Sequence, residues 1–200
     1  MSEPIHWLQE TGWRANSYVC SSILVDAAQS EAVVAPYKEQ IEAIVLTHGH
    51  FDHMANVSAL SDLCEAQVFI GAGDLAFLSD DALSLAHHFG GHSPDISAEP
   101  LMERERIGDF TVLCTPGHTR GSICLYREED GALITGDTLF PQGSCGRTDL
   151  PTGSYVELAA SINKLAELFV DSLWGGHEIP VPSGAMRDVL LTKFEVMKYG

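Results

Sequence analysis

The chain has 200 residues, 45% of them hydrophobic and 20% charged, and a formal net charge of −17. That composition belongs to a globular protein long enough to bury a substantial core, and it speaks against non-specific binding to nucleic acid or anionic lipid, which needs a basic surface. The five cysteines (Cys20, Cys64, Cys114, Cys124 and Cys145) are odd in number and contain no C-x-x-C pair, which argues against a disulfide framework or a cysteine zinc site. The first residues carry neither a basic nor an apolar signal region, and no apolar run is long enough to span a bilayer. The expectation is therefore a cytoplasmic protein with no membrane partner.

Short apolar runs alternate with loops and helical stretches, a pattern that predicts one mixed α/β domain over 1–200. Ser17 to Asp26 reads as a strand and Ile41 to Leu46 as a short buried one. After Asp52 the period turns helical, with Met54, Val57, Leu60 and Leu63 on one face. Gln67 to Ile70 predicts another strand, and Asp74 to Leu78 a short helix. Residues 79–100 are less regular, hold His87, His88 and His92, and read as a surface loop, an insertion or lid rather than a further metal site. Three strands follow, at Phe110–Leu113, Ser122–Tyr126 and Ala132–Thr135. Ser154-x-x-Glu157 is a capping box opening a helix with Leu158, Ile162, Leu165 and Phe169 on its stripe. Leu173-Trp174 ends one more strand, and a last helix from about Ala185 carries Met186, Val189, Leu190, Phe194 and Met197 as expected core.

The most concentrated chemistry is Thr47-His48-Gly49-His50-Phe51-Asp52-His53, straight after the apolar Ile44-Val45-Leu46. Imidazoles suit zinc, iron and similar divalent metals, and a carboxylate adds a charged oxygen ligand. Alone, the cluster is consistent with one metal or with two, and Asp52 also reads as a helix cap. Three other polar residues share its placement just beyond a buried strand and after glycine: His118 through Thr115-Pro116-Gly117, Asp137 through Gly136, and His177 through Gly175-Gly176. In α/β folds ligand sites gather where loops leave strand ends, and glycine lets backbone approach such a site closely.

With these residues the chain resembles the metallo-β-lactamase-fold hydrolase superfamily, on His48-x-His50-x-Asp52-His53 followed in order by His118, Asp137 and His177. The resemblance implies an αββα sandwich, a four-layer α/β fold with the metal site at one edge of two sheets. It implies two divalent ions, zinc first and iron or manganese next. His48, His50 and His118 would hold one ion, Asp52, His53 and His177 the other, and Asp137 would bridge them.

Pro116-Gly117-His118-Thr119-Arg120-Gly121-Ser122, Gly136-Asp137-Thr138-Leu139-Phe140, Gly146 to Gly153 and Gly176-His177-Glu178 resemble the glyoxalase II-like (hydroxyacylglutathione hydrolase-like) branch. That branch implies a small-molecule acyl thioester as substrate, cleaved by a metal-bound hydroxide that Asp52 orients. Arg147 is the candidate for holding a substrate carboxylate, with a surface ion pair as its ordinary alternative. Cys145 reads as loop packing. The chain runs only a short way past His177, so no C-terminal glutathione-binding helical domain is expected, and Ile179 to Gly184 departs from the family's usual stretch. Two other readings remain. One is a persulfide dioxygenase with a single iron on His48, His118 and Asp137; the other is a metal-stabilised binding domain without turnover.

Overall fold

The computed structural model describes residues 2–198; Met1, Tyr199 and Gly200, the ends of the span expected as one domain, lie outside the described residues. The residues group into two compact units, Met1–Leu101 and Met102–Gly200.

The first unit is built on a six-stranded mixed sheet. In chain order its strands are β1 (Ile5–Leu8), β2 (Ser17–Cys20), β3 (Ile23–Val25), β4 (Ala43–Leu46), β5 (Gln67–Gly71) and β6 (Glu99–Leu101), and they lie in that same order in the sheet. β1, β2 and β3 pair antiparallel, whereas β3 to β6 run parallel. Strand β4 is buried at every position, the continuous apolar run expected of a strand with parallel neighbours on both sides. Two short helices follow it, α2 (Phe51–Met54) and α3 (Val57–Cys64), after α1 (Glu31–Val34) earlier in the chain. Met54, Val57 and Leu60 reach the core formed with Leu24, Ile44, Leu46 and Ile70, and Leu63 packs at its edge.

The single strand expected over Ser17 to Asp26 is in fact a hairpin. The chain reverses at Ser21-Ser22, with Cys20 paired to Ile23 and Ser21 in the left-handed region at φ 50. Glycine or asparagine usually announces such a turn, and neither is present. Asp52 does not cap α2: His50 takes the N-cap position and Asp52 falls in the first turn. The stretch expected as a helix at Asp74–Leu78 is a 3-10 turn over Ala72–Leu78, and within 79–100 there is a second one at Ala86–Phe89.

The second unit holds a five-stranded mixed sheet made of β7 (Arg106–Ile107), β8 (Phe110–Cys114), β9 (Ile123–Arg127), β10 (Ala132–Gly136) and β11 (Ser172–Gly175), ordered β11-β10-β9-β8-β7. Only β10 and β11 are parallel, and their register shifts between Ile134 and Gly136, directly before Asp137. Helices α4 (Tyr155–Leu165) and α5 (Met186–Lys198) cover a core of Leu133, Leu158, Ile162, Leu165, Leu173 and Val189. Ser154 caps α4 by accepting a hydrogen bond from the Glu157 amide.

Two expectations about these helices are corrected. Helix α4 ends at Leu165 with Ala166 as its C-cap, so Phe169 lies past it and is exposed rather than on the stripe. In α5 the inward face is Val189, Thr192 and Val196, while Leu190, Phe194 and Met197 are 48%, 57% and 63% exposed. The two stripes are offset by one or two residues, a turn of about 100° or more on the helix. Among the described residues, no helix is long and apolar enough to cross a membrane.

Candidate metal centre

In the first unit the ligand-rich loop leaves the end of β4. Gly49 is needed there, because a Cβ would lie 2.3 Å from the Cβ of Phe77. Its amide donates to the buried carboxylate of Asp74 at 2.9 Å, which pins the loop between the first two histidines. His48 Nε2 lies 3.1 Å from His50 Nδ1, and Asp52 Oδ2 lies 3.9 Å from His53 Nε2. The ligand atoms of His48 and His53 are also within 4.8 Å of one another. His48, His50 and His53 are buried, and Asp52 is half-buried.

One carboxylate organises this loop from below. Asp26, buried at the end of β3 with φ 58, accepts the Thr47 amide on Oδ1 at 2.8 Å. Its Oδ2 accepts the Thr47 hydroxyl at 2.9 Å and His53 Nδ1 at 2.8 Å. An ionised carboxylate cannot donate, so His53 carries its hydrogen on Nδ1 and keeps a lone pair on Nε2. Thr47 gives its only hydroxyl hydrogen to Asp26 and therefore accepts from His48 Nδ1, 3.2 Å away. His48 is thereby fixed in the same tautomer. Sequence reasoning passed over Asp26, Thr47 and Asp74 as site residues. Asp26 had a usable signal, since it stands just beyond a buried strand as the ligand candidates do.

In the second unit, His118, Asp137 and His177 leave the ends of β8, β10 and β11. His118 Nε2 lies 3.5 Å and His177 Nε2 3.7 Å from Asp137 Oδ2, so one carboxylate oxygen faces both imidazoles. His118 Nδ1 donates to the Arg147 carbonyl at 2.7 Å, which again leaves Nε2 with a lone pair. Gly146 lets this stretch pass close to the ligands, for a Cβ there would meet the Asp137 carbonyl at 2.0 Å and His118 Nδ1 at 2.9 Å.

The turn before His118 is set by α4. Gly117 has φ 143, its Cβ would strike the Leu158 backbone at 2.3 Å, and its carbonyl accepts from the Ser154 amide at 2.7 Å. The hydroxyls of Thr115 and Thr138, 3.0 Å apart and buried, join the loops that carry His118 and Asp137. Cys124 lies beside Thr115 at 3.3 Å, and burial pushes its thiol up to about 11. Cys145 packs at the edge of the core.

The Arg147 side chain is exposed and holds Asp149 through two bonds of 2.7 Å; this hydrogen-bonded guanidinium lowers the Asp149 carboxyl to about 2. Of the loop histidines, His92 is bonded to Asp81 Oδ2 at 2.7 Å, and His87 Nδ1 donates to the Asp81 carbonyl at 3.0 Å.

These donors fit a divalent metal. A tetrahedral ion with bonds of about 2.0–2.1 Å places its ligand atoms about 3.3 Å apart. The pairs within each unit span 3.1 to 3.9 Å. The set is nitrogen and oxygen without thiolate, which suits zinc, iron or manganese.

The model of the metallo-β-lactamase superfamily matches residues 21–177, a span that includes every ligand candidate. The chain belongs to the metallo-β-lactamase superfamily. Among superfamily relatives, an uncharacterized protein of Aquifex aeolicus is 38% identical over 76% of this chain and 75% of its own length. A protein of Methanocaldococcus jannaschii named as a probable metallo-hydrolase is 32% identical over 83% of this chain and 88% of its own. A hydroxyacylglutathione hydrolase of Cereibacter sphaeroides is 36% identical over 78% of this chain, which spans only 56% of that relative. Among solved structures, TTHA1623 in a di-iron-bound form matches with a TM-score of 0.81 and 29% identity, covering 92% of this chain and 98% of that one. The B3 metallo-β-lactamase BLEG-1 matches with a TM-score of 0.82 and 30% identity, covering 94% and 100%. The superfamily fold, with its mixed sheets and helices, agrees with the α/β class read from the sequence. The His/Asp cluster of this superfamily member implies a divalent metal.

Proposed function

We propose that the chain is a binuclear metallo-hydrolase that cleaves acyl thioesters. The observation that carries the thioester reading is the 36% identity to a hydroxyacylglutathione hydrolase across 78% of this chain. In this reading the two ligand sets combine: His48, His50 and His118 hold one ion, Asp52, His53 and His177 the other, and Asp137 bridges. Support for the bridge is the single Asp137 oxygen facing both His118 and His177. The ions, when bound, supply Lewis acidity and lower the pKa of water.

The protein's own residues set the geometry. Asp26, Thr47 and the Arg147 carbonyl keep three imidazoles in the tautomer that leaves Nε2 available. Asp52, only half-buried and next to His53, would orient the attacking water, and a proton released from that water passes to the departing sulfur. Water adds to the carbonyl carbon, the C–S bond breaks, and the products are a carboxylic acid and a thiol. Arg147 now engages Asp149 through Nε and Nη2, so a substrate carboxylate would either meet its remaining N–H donors or displace Asp149.

The test is metal analysis of the purified protein coupled to a panel of thioesters, β-lactams and glutathione persulfide with oxygen uptake. Two ions per chain with thiol release from thioesters are expected. A single iron with oxygen uptake would replace the reading by the dioxygenase. The match to a B3 metallo-β-lactamase over its whole length favours β-lactam hydrolysis as the second reading, and β-lactam turnover without thiol release would establish it.

A further inference from the structure

An aromatic wall adjoins the ligand loop of the first unit, and the chemistry above makes no use of it. Phe51 stands between His50 and Asp52 in the chain and is buried. The Trp13 ring stacks on it, with centroids 5.7 Å apart and planes within 16°. Phe89 closes the group at 4.6 Å from Trp13 and 6.0 Å from Phe51. Trp13 remains 40% exposed and Phe89 half-buried. The Arg14 guanidinium lies over the Trp13 ring, 5.1 Å from its centroid, a contact that helps hold the indole in place.

The wall is built into the backbone. The Phe51 amide donates to the Ser84 carbonyl at 2.9 Å, tying the ligand loop to the segment that carries Phe89. Gly91 lies so close to the Phe51 ring that a Cβ would come within 2.5 Å of Cζ. Leu85 and Gly90, both left-handed, bound the 3-10 turn that presents Phe89. Ser84 and Ser93 join through their hydroxyls at 2.8 Å, and the Ser93 amide donates to Asp81 at 2.6 Å. A large aromatic held this firmly offers apolar contact area with little further loss of side-chain entropy.

Resting on the thioesterase reading, we propose that Trp13 and Phe89 are specificity-determining residues whose ligand is a flat apolar substituent of the substrate. Burying such a group on the wall, beside the residues that hold the metals, selects aromatic thioesters over small polar ones. The substituent is carried by the acyl group or by the thiol, and the two are separable by experiment.

On the metal-loaded protein, kcat/KM is compared for acetyl and phenylacetyl thioesters of N-acetylcysteamine, and for the acetyl thioester of benzyl mercaptan. Preference for one phenyl-bearing substrate by about ten- to a hundredfold is expected, on whichever side the wall serves. Trp13→Ala, and separately Phe89→Leu, should lower that ratio about tenfold. Binding is read independently from tryptophan fluorescence with S-benzyl-N-acetylcysteamine, a thioether that cannot be hydrolysed. A saturable change that disappears in Trp13→Phe is expected. Ratios near one in the unaltered protein, ratios unmoved by both substitutions, or no fluorescence change would each overturn the wall as a specificity surface. Thioether binding at Trp13 without turnover of any thioester would instead overturn the thioesterase reading and leave the wall standing.

Discussion

Asp26→Asn isolates the carboxylate that braces the ligand loop. The backbone cost is negligible, because asparagine tolerates the left-handed φ of 58 found there. The side chain is the same size but keeps one acceptor oxygen where three donors converge at 2.8 to 2.9 Å. Its amide nitrogen must therefore face either the Thr47 amide or the pair formed by the Thr47 hydroxyl and His53. Leaving one buried donor unsatisfied costs about 1–3 kcal/mol. About 2 kcal/mol lowers the melting temperature of a chain this size by about 4–8 °C. Loss of the carboxylate behind His53 should further weaken metal binding by about 10- to 100-fold. The stability loss is read by thermal denaturation in chelator and the affinity by competition with a chromophoric chelator. A variant that melts lower yet binds metal as tightly as the parent would refute the bracing role. Unchanged melting would refute the hydrogen-bond argument altogether.

Asp137→Ala should weaken both ions together, whereas His50→Ala should weaken mainly one; competitive titration showing two independent, unaltered sites in Asp137→Ala would remove the bridge. Gly117→Ala meets both a φ of 143 and the Leu158 backbone 2.3 Å away, so a loss of about 2–4 kcal/mol in denaturant unfolding is expected, and an unshifted midpoint would contradict that geometry. On α5, Phe194→Ser should change stability by less than about 0.5 kcal/mol while Val189→Ala costs about 2 kcal/mol; the reverse order in unfolding experiments would show that the faces are misassigned.

The ligand candidates were legible in the sequence because their pattern is local: an apolar strand, a glycine or two, then a histidine or aspartate. The residues that brace them were not. Asp26 meets Thr47 and His53 from 21 and 27 positions away, and no local pattern encodes that pairing. Strands β4, β5 and β8 to β11 announced themselves as apolar runs, whereas the short β6 (Glu99–Leu101) and β7 (Arg106–Ile107) carry charged residues and no such run, and the Ser21-Ser22 reversal has neither glycine nor asparagine. In α5, residues 189, 192 and 196 and residues 190, 194 and 197 both keep helical spacing. Which stripe faces inward is decided by the surface the helix meets, a tertiary fact that periodicity does not contain. The capped start of α4 was readable from Ser154 and Glu157, whereas its stop before Phe169 lacks a glycine or proline signal.

The register shift between β10 and β11 gives this chain an unequal tolerance to changes in length. Ile134 pairs with Trp174 and Gly136 with Gly175, one residue being skipped on β10 just before Asp137. The Gly176 amide then donates to the Gly136 carbonyl at 2.8 Å, so the approaches to Asp137 and His177 are measured against each other. Losing or gaining a single residue in either strand would turn its following ligand toward the opposite face of the sheet. Strand β4, clasped in register by β3 and β5, sets the same count for His48. Evolution or engineering can therefore exchange side chains along these strands far more freely than it can add or delete a residue, and changes in length are best confined to connections that do not lead into a ligand.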